Sequence, residues 1–169
     1  MTTVIYQTQQ ILAGRPLDPG LDFSLWQPSP WAPRPPDKSK RYLAYTGFHY
    51  SKIFKNSLYS AVLVREHGSL ISSLLVVPAH FKWPFMGPRD VQFTYVLTRP
   101  GHRGRGLAEQ AIRFAVQKLN GKVDRYWYVT DTENKPSIRL CQRLGFEFHA
   151  FGRRTGPLRV LRKSSNSDD

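Results

Sequence analysis

The sequence predicts one mixed α/β (α+β) domain, and three observations carry that reading. Between residues 57 and 161, β-rich runs alternate with two helical segments of amphipathic pattern. Of the 169 residues, 40% are hydrophobic and 13% aromatic, enough to build a core without covalent cross-links. No internal repeat divides the chain, and its length suits a single domain.

The elements follow in order. Residues 1–45 read as an N-terminal segment packed on the domain, with a proline-rich loop. There, Pro28, Pro30, Pro33, Pro35 and Pro36 deny the chain a regular helix or central strand. Trp26 and Trp31 argue that this segment packs back onto something. The domain proper is expected over 46–163, with 164–169 as a frayed tail. Ser57 to Val64 and Ser69 to Val77 are two β runs around the polar turn Arg65-Glu66-His67-Gly68, a hairpin. AHFKWPFMGPRD follows, a loop of unusual aromatic content, and then a strand from Val91 to Thr98.

Next comes RPGHRGRGLAEQAIRFAVQKLNG. Leu107, Ala108, Ala111, Ala115 and Leu119 recur at helical spacing, Lys118 suits the helix C-terminal dipole, and Asn120-Gly121 supplies a stop. YWYVT, Tyr126 to Thr130, reads as a strand. Pro136 suits the first turn of a short helix that stops at Gly145. Two late β runs, Phe146 to Phe151 and Pro157 to Leu161, flank the turn Gly-Arg-Arg-Thr-Gly.

Composition bounds the function. Twenty-five Lys and Arg against 12 Asp and Glu give a formal charge of +13, which attracts anions at long range. Nucleic acid, an acidic protein or an anionic metabolite all fit that charge. Cys141 is the only cysteine, so no internal disulfide forms and no Cys/His cluster suggests a metal site. The expected location is the cytoplasm. The first 20 residues lack a signal-peptide pattern, and the longest apolar runs fall well short of a membrane span.

The informative segment is Arg99 to Ala108, between a strand and a helix. The first turn of a helix leaves backbone N–H groups without partners, and with the helix dipole these make an anion site. Gly104 and Gly106 let an oxygen approach the backbone unhindered. Arg103 and Arg105 can add charge-assisted hydrogen bonds. The segment fits neither GxxxxGK[ST] nor GxGxxG. Read alone, it is equally a solvated basic loop capping an ordinary helix.

Arg103-x-x-Gly106-x-Ala108 resembles the [Q/R]xxGx[G/A] pyrophosphate signature of the GNAT superfamily of acyl-CoA-dependent N-acyltransferases. Asn134 to Phe146, with Ser137, Gly145 and Phe146 in place, resembles that superfamily's second motif, Nxx[A/S]xxxYxxxGF. The likeness covers about residues 91 to 148. It implies a mixed, mainly antiparallel central sheet with splayed central strands flanked by helices, and acetyl-CoA as the acyl donor. It further implies that backbone groups at Val96 and Thr98 hold the pantetheine arm. The turn of Arg103, Gly104, Arg105, Gly106, Leu107 and Ala108 would hold the pyrophosphate, and Asn134 and Ser137 would face the far pantetheine. The acyl carbonyl would sit between the splayed strands near a stabilising backbone N–H.

One position departs from the pattern. Where the family carries a tyrosine near the CoA sulfur, this chain has Cys141. The thiol can serve as proton donor to the leaving group, or it can be a small core residue. Direct attack by an amine needs chiefly deprotonation and orientation. Asp90, Tyr95 and His80 are candidate bases, whereas His102 belongs to the phosphate turn or to solvent. Phe81, Trp83, Phe85 and Met86 either cover the core edge or wall an acceptor pocket, with Lys82 and Arg89 gripping an anion.

The first acceptor expected is a small, anionic amine such as a nucleotide-linked amino sugar. An acidic protein or RNA substrate is the second reading, and a non-catalytic acyl-CoA-binding module the third. A homodimer is compatible with the family likeness, but no residue pattern identifies its interface.

Overall fold

The computed structural model describes residues 2–33 and 41–164. Pro35, Pro36 and the last five residues of the expected tail therefore lie outside the described residues. Along the chain the elements are β1 (Thr3–Thr8), β2 (Asp22–Trp26), α1 (Arg41–Tyr50), β3 (Ser60–Glu66), β4 (Ser69–Pro78), β5 (Val91–Thr98), α2 (Leu107–Leu119), β6 (Tyr126–Asp131), α3 (Lys135–Leu144), β7 (Glu147–Thr155) and β8 (Val160–Ser164). The strands form one mixed sheet in the order β2-β3-β4-β5-β6-β1-β7-β8. Only β5 and β6 run parallel; every other neighbouring pair is antiparallel. The expected mixed, mainly antiparallel sheet flanked by helices is the observed one.

Two apolar layers lie on opposite faces of this sheet. Strand alternation sends Val4, Tyr6, Phe93, Tyr126 and Tyr128 toward α2 and α3, where they meet Leu107, Ala111, Ala115, Leu119, Leu140 and Leu144. Ile5, Leu75, Val77 and Trp127 point the other way, toward Tyr42, Tyr45 and Phe48 of α1 and Trp83 and Met86 of the aromatic loop. That loop, expected either to cover the core or to wall a pocket, buries Trp83 and Met86 while Phe81 stays 44% exposed.

The N-terminal segment is more than a packed appendage. Its first strand, β1, sits inside the sheet, with six residue pairs to β6 and five to β7. Residues 9–21 then cross the helical face to reach β2 at the far edge. Along this path Leu12 donates its N–H to Leu144 O (2.9 Å), the Arg113 guanidinium donates to Leu12 O, and the Asp18 N–H donates to Gln110 Oε1 (2.8 Å). A Cβ at Gly14 would fall 2.1 Å from the Arg113 guanidinium, which would have to move from its place against Leu12 O. β1 and β2, both within the segment 1–45, are thus strands of the same sheet as the rest of the described chain.

The last hairpin also differs from expectation. β7 continues through Gly152-Arg153-Arg154-Thr155, and the turn lies at 156–159, with Gly156 at φ 70° and Arg159 at φ 51°. Gly152 serves close packing instead of a turn: a Cβ there would stand 3.0 Å from Leu161 Cδ1 and 3.1 Å from Ile5 Cδ1. Two elements read from the glycines fall where expected. Gly145 caps α3 in the left-handed conformation at φ 80°, and Gly121 follows α2 at φ 73°.

Candidate active site

The site begins with a break in the sheet. β5 and β6 pair through only three positions, Val91↔Tyr126, Gln92↔Trp127 and Phe93↔Tyr128, and beyond them the two strands are no longer ladder partners. The cause lies on the other edge of β5. Its register with β4 shifts between Ser73↔Leu97 and Leu75↔Thr94, so Tyr95 and Val96 together stand opposite Leu74. That is a β-bulge, and Tyr95 occupies it at φ 48°. A bulge bends and twists its strand, and from residue 94 onward β5 leaves the β6 ladder, so a gap in the pairing, the slot, lies between them. Holding a bulky residue in the left-handed region costs about 1–3 kcal/mol. The expected pantetheine contacts, Val96 and Thr98, both lie on this diverging stretch.

At the end of β5 the chain makes a single 3-10 turn, Pro100–His102, and then the glycine turn into α2. Gly104 (φ 79°) and Gly106 (φ 73°, the N-cap) are both left-handed, and a Cβ on either would meet nothing within 4 Å. The first helical bond of α2 runs from the Gln110 N–H to Gly106 O (3.0 Å), and no side chain caps the end. The N–H groups of Leu107, Ala108 and Glu109 therefore face out of the helix start. Leu107 anchors the turn in the core, while Arg103, Gly104, Arg105 and Gly106 are exposed. Chain conformation and open space together make a cradle that fits a diphosphate.

The two arginines divide their roles. Arg105 grips Glu66 of β3 through both guanidinium nitrogens (2.6 and 3.1 Å) and also meets His102 Nδ1 (3.0 Å). The Arg105 hydrogen bond holds the Glu66 carboxyl below its ordinary range. His102 stands 3.5 Å from the same carboxylate, so it belongs to the turn's own network. Arg103 folds back toward Thr98 O (3.4 Å) along the end of β5.

Asn134 is the N-cap of α3, its Oδ1 accepting the Ser137 N–H at 3.3 Å. The Ser137 hydroxyl in turn meets the Tyr128 hydroxyl at 3.4 Å. Cys141 is fully buried in the helix-side core, and burial pushes its thiol up to about 12. A thiol so placed stays protonated near pH 7 and is surrounded by core side chains. The sequence reading missed its neighbours: Tyr6 of β1 and Tyr128 of β6 are paired in register, both feel the Cys141 thiol, and burial raises Tyr128 to about 12. The alternation in YWYVT was the available signal, since it puts Tyr126 and Tyr128 on one face.

The three candidate bases have different surroundings. Asp90 is buried, and its Oδ2 accepts from Trp127 Nε1 (2.7 Å) and the Gly87 N–H (2.8 Å); it clamps the aromatic loop to β6. His80 is also buried, amid Tyr45, Phe48, Phe54, Phe81 and Trp83, with Nδ1 3.0 Å from Pro78 O. Burial lowers it to about 4, so it stays neutral near pH 7. Tyr95 alone borders the slot, and its ring packs against Tyr45 of α1 (6.1 Å). Burial pushes the Tyr45 hydroxyl far up. Arg89 pairs with Asp124 (3.0 Å) and Gly121 O (3.1 Å), away from any anion on the loop, whereas Lys82 stands over the rings of Phe48 and Phe81.

Comparison with known proteins agrees with this geometry. No curated protein matches the chain. Among solved structures it resembles a GCN5-related N-acetyltransferase from Kribbella flavida (16% identity, 96% of this chain and 62% of that one, TM-score 0.52) and one from Sphaerobacter thermophilus (18%, 89% and 49%, 0.57). It also resembles the aminoglycoside N-acetyltransferase AAC(6')-Iy in complex with CoA (19%, 75% and 91%, 0.51). At these identities the likeness is one of fold, and the chain spans less than two thirds of the Kribbella and Sphaerobacter proteins. The model of the Acetyltransferase (GNAT) family matches residues 22–146, which hold the bulged strand, the glycine cradle and the Asn134 cap; the chain belongs to that family.

Proposed function

We propose that this protein is an N-acetyltransferase that moves an acetyl group from acetyl-CoA to the primary amine of a small, anionic metabolite such as an amino sugar. The observation that carries the reading is the open glycine cradle at the end of a slot between two diverging parallel strands. A cleft blocked by its own side chains would have favoured a binding-only module, and here both glycines face open space.

Acetyl-CoA would supply an acyl group activated as a thioester: the amine nitrogen would bond to the acyl carbon, the C–S bond would break, and CoA would leave as the free thiol with the proton the amine gives up. The N–H groups of Leu107, Ala108 and Glu109 hold the diphosphate, and β5 beyond Phe93 holds the pantetheine arm by strand-like hydrogen bonds. Tyr95, at the bulge beside Tyr45, contacts and orients the amine. Asp90 and His80 act as positioning residues through the aromatic loop. Orientation beside an activated carbonyl supplies much of the rate, and the aromatic surroundings of Tyr95 keep water away.

The test is thiol release from acetyl-CoA across amino sugars, amino-sugar nucleotides, polyamines, amino acids, RNA and basic peptides. Turnover with a small amine is the expected result. Turnover with RNA or protein alone would replace this reading by the polymer one, which draws on the +13 charge. A basic stripe continuous from the cofactor cleft into residues 34–55 would support a polymer; of these, residues 34–40 lie outside the described residues.

Cys141→Ala separates the two roles of the thiol. Its buried sulfur fills core space, so the substitution should cost about 1 kcal/mol of stability by cavity formation. The maximal rate should stay within twofold of the parent. A large loss of kcat at unchanged acetyl-CoA affinity would instead make Cys141 the proton donor.

A further inference from the structure

The two faces of the slot offer different partners. α2 and α3 cover one face of the sheet, so acetyl-CoA held at the start of α2 reaches the slot from that face. The acceptor is left the opposite face, where Tyr45 of α1, Tyr95 and Val129 are only partly buried. Ladder register shows which charged side chains share it. On β6, Trp127 and Val129 belong to the α1-side layer, and Asp131 follows two residues on. On β7, Ala150 belongs to the same layer, and a Cβ on Gly152 would touch Ile5 and Leu161 of that layer. Arg154 comes next on that face, paired with Leu161.

Asp131 and Arg154 bracket the open end of the slot. The last β5–β6 pair is Phe93↔Tyr128; equally far beyond it, Val96 and Asp131 stand on either side of the gap. Asp131 is half-buried, and among the described residues no ion pair or side-chain hydrogen bond holds its carboxylate. Thr3 separates it from Gly152 on one rung, and Arg154 lies two residues further along β7. Two strand spacings and two residues put the Cα atoms of Asp131 and Arg154 roughly 12 Å apart.

Arg154 is exposed, and among the described residues no carboxylate pairs with it. Its charge nonetheless reaches the wall of the slot. Burial and then Tyr95 push the Tyr45 hydroxyl up, Arg154 pulls it back, and the Tyr45 ring packs on Tyr95 at 6.1 Å. The cations first expected to grip an anion are occupied elsewhere. Arg89 pairs with Asp124 (3.0 Å), and Lys82 stands over the rings of Phe48 and Phe81.

We propose that Asp131 and Arg154 form a two-point acceptor site, in which Asp131 accepts a hydrogen bond from the amine beside the acyl group and Arg154 holds a phosphate or diphosphate at the other end of a sugar-sized spacer. This deepens, and rests on, the acetyltransferase reading above. A guanidinium can give a phosphate two parallel hydrogen bonds. The separation of the two side chains selects against an α-amino acid, whose amine and carboxylate sit on adjacent carbons.

The experiment measures thiol release from acetyl-CoA with glucosamine, glucosamine 1-phosphate, glucosamine 6-phosphate and UDP-glucosamine. At least one phosphorylated amine should exceed glucosamine tenfold or more in kcat/KM. Arg154→Gln should raise KM for that acceptor at least tenfold while kcat changes less than threefold. Arg162→Gln, which removes the same charge from the other face of the hairpin, should leave both constants within twofold. Asp131→Asn should lower kcat/KM at least tenfold for every acceptor used, with thermal protection by acetyl-CoA retained as proof of an intact fold and cofactor site. Equal use of glucosamine and the phosphorylated amines overturns the proposal and leaves the broader reading standing. So does an Arg154→Gln effect matched by Arg162→Gln, or an Asp131→Asn enzyme as active as the parent. No turnover of any of the four, in protein that acetyl-CoA still protects, overturns the proposal and the amino-sugar reading together.

Discussion

Replacing Gly106 by Trp should abolish the thermal protection that acetyl-CoA gives the parent protein. At a ligand concentration about 100 times Kd, binding to the folded state alone contributes about 2.7 kcal/mol. For a domain of this length that raises Tm by roughly 5–10 °C. The indole would project into space that holds no protein atom within 4 Å of the Cβ, the space in front of the outward N–H groups. Gly106 also has φ 73°, so any side chain strains the backbone, and a lower melting temperature alone proves nothing. Gly121→Trp is the control: Gly121 has the same φ of 73°, equal open space, and the opposite end of the same helix. Both variants should melt lower than the parent without ligand, but only Gly121→Trp should regain stability with acetyl-CoA. Equal protection of both would show that the cradle does not hold the diphosphate.

That prediction rests on residues whose conformation was legible in the sequence because it is local. A glycine-rich turn between a β run and an amphipathic run fixes where unpaired N–H groups face, and no distant contact is needed to read it. The strand at Val91–Thr98, both helices around the two motifs and the stop at Gly145 were legible for the same reason. The slot was not legible from the residues alone. It depends on a one-residue mismatch between β4 and β5, and no pattern of residues marks Tyr95 as the residue that turns to positive φ. A bulge is a property of two strands, and periodicity reports one.

The same distinction explains the candidate bases. Asp90 and His80 are polar residues flanking an aromatic loop, which in sequence reads as a reactive edge. In the fold, Trp127, 37 positions from Asp90, supplies the N–H that engages the carboxylate. The rings around His80 come from α1, from the chain that follows it and from the loop itself. α1 was missed because RYLAYTGFHY carries no acidic first turn and has Gly47 in its interior, a residue that weakens helix propensity. Its place is set by tertiary packing: Tyr42, Tyr45 and Phe48 bury against the sheet.

Deleting residues 2–8 should leave the chain without a cooperative melting transition. TVIYQT has the β-rich composition of a strand, but it lies within the segment 1–45 that was expected only to pack on the domain. The structure instead puts it between β6 and β7, so that removal opens two ladders at once and leaves both neighbours with unpaired buried backbone. Val4, Ile5 and Tyr6 are at most 7% exposed and feed both faces of the core. Burying an apolar side chain of this size stabilises by about 1.5–3 kcal/mol, so three of them account for several kcal/mol before hydrogen bonds are counted. A domain's whole stability is about 5–15 kcal/mol. β7 and β8 would then hang on a sheet that ends at β6, and the Tyr6 contact beside Cys141 and Tyr128 would be lost. Ile5→Lys tests the same point in a full-length chain, since Ile5 is fully buried with no partner for a charge. Circular dichroism melting should show the deletion without a sigmoidal transition and Ile5→Lys with a strongly lowered one. A truncated protein that melts like the parent and is still protected by acetyl-CoA would show that β6 and β7 can close the sheet without β1.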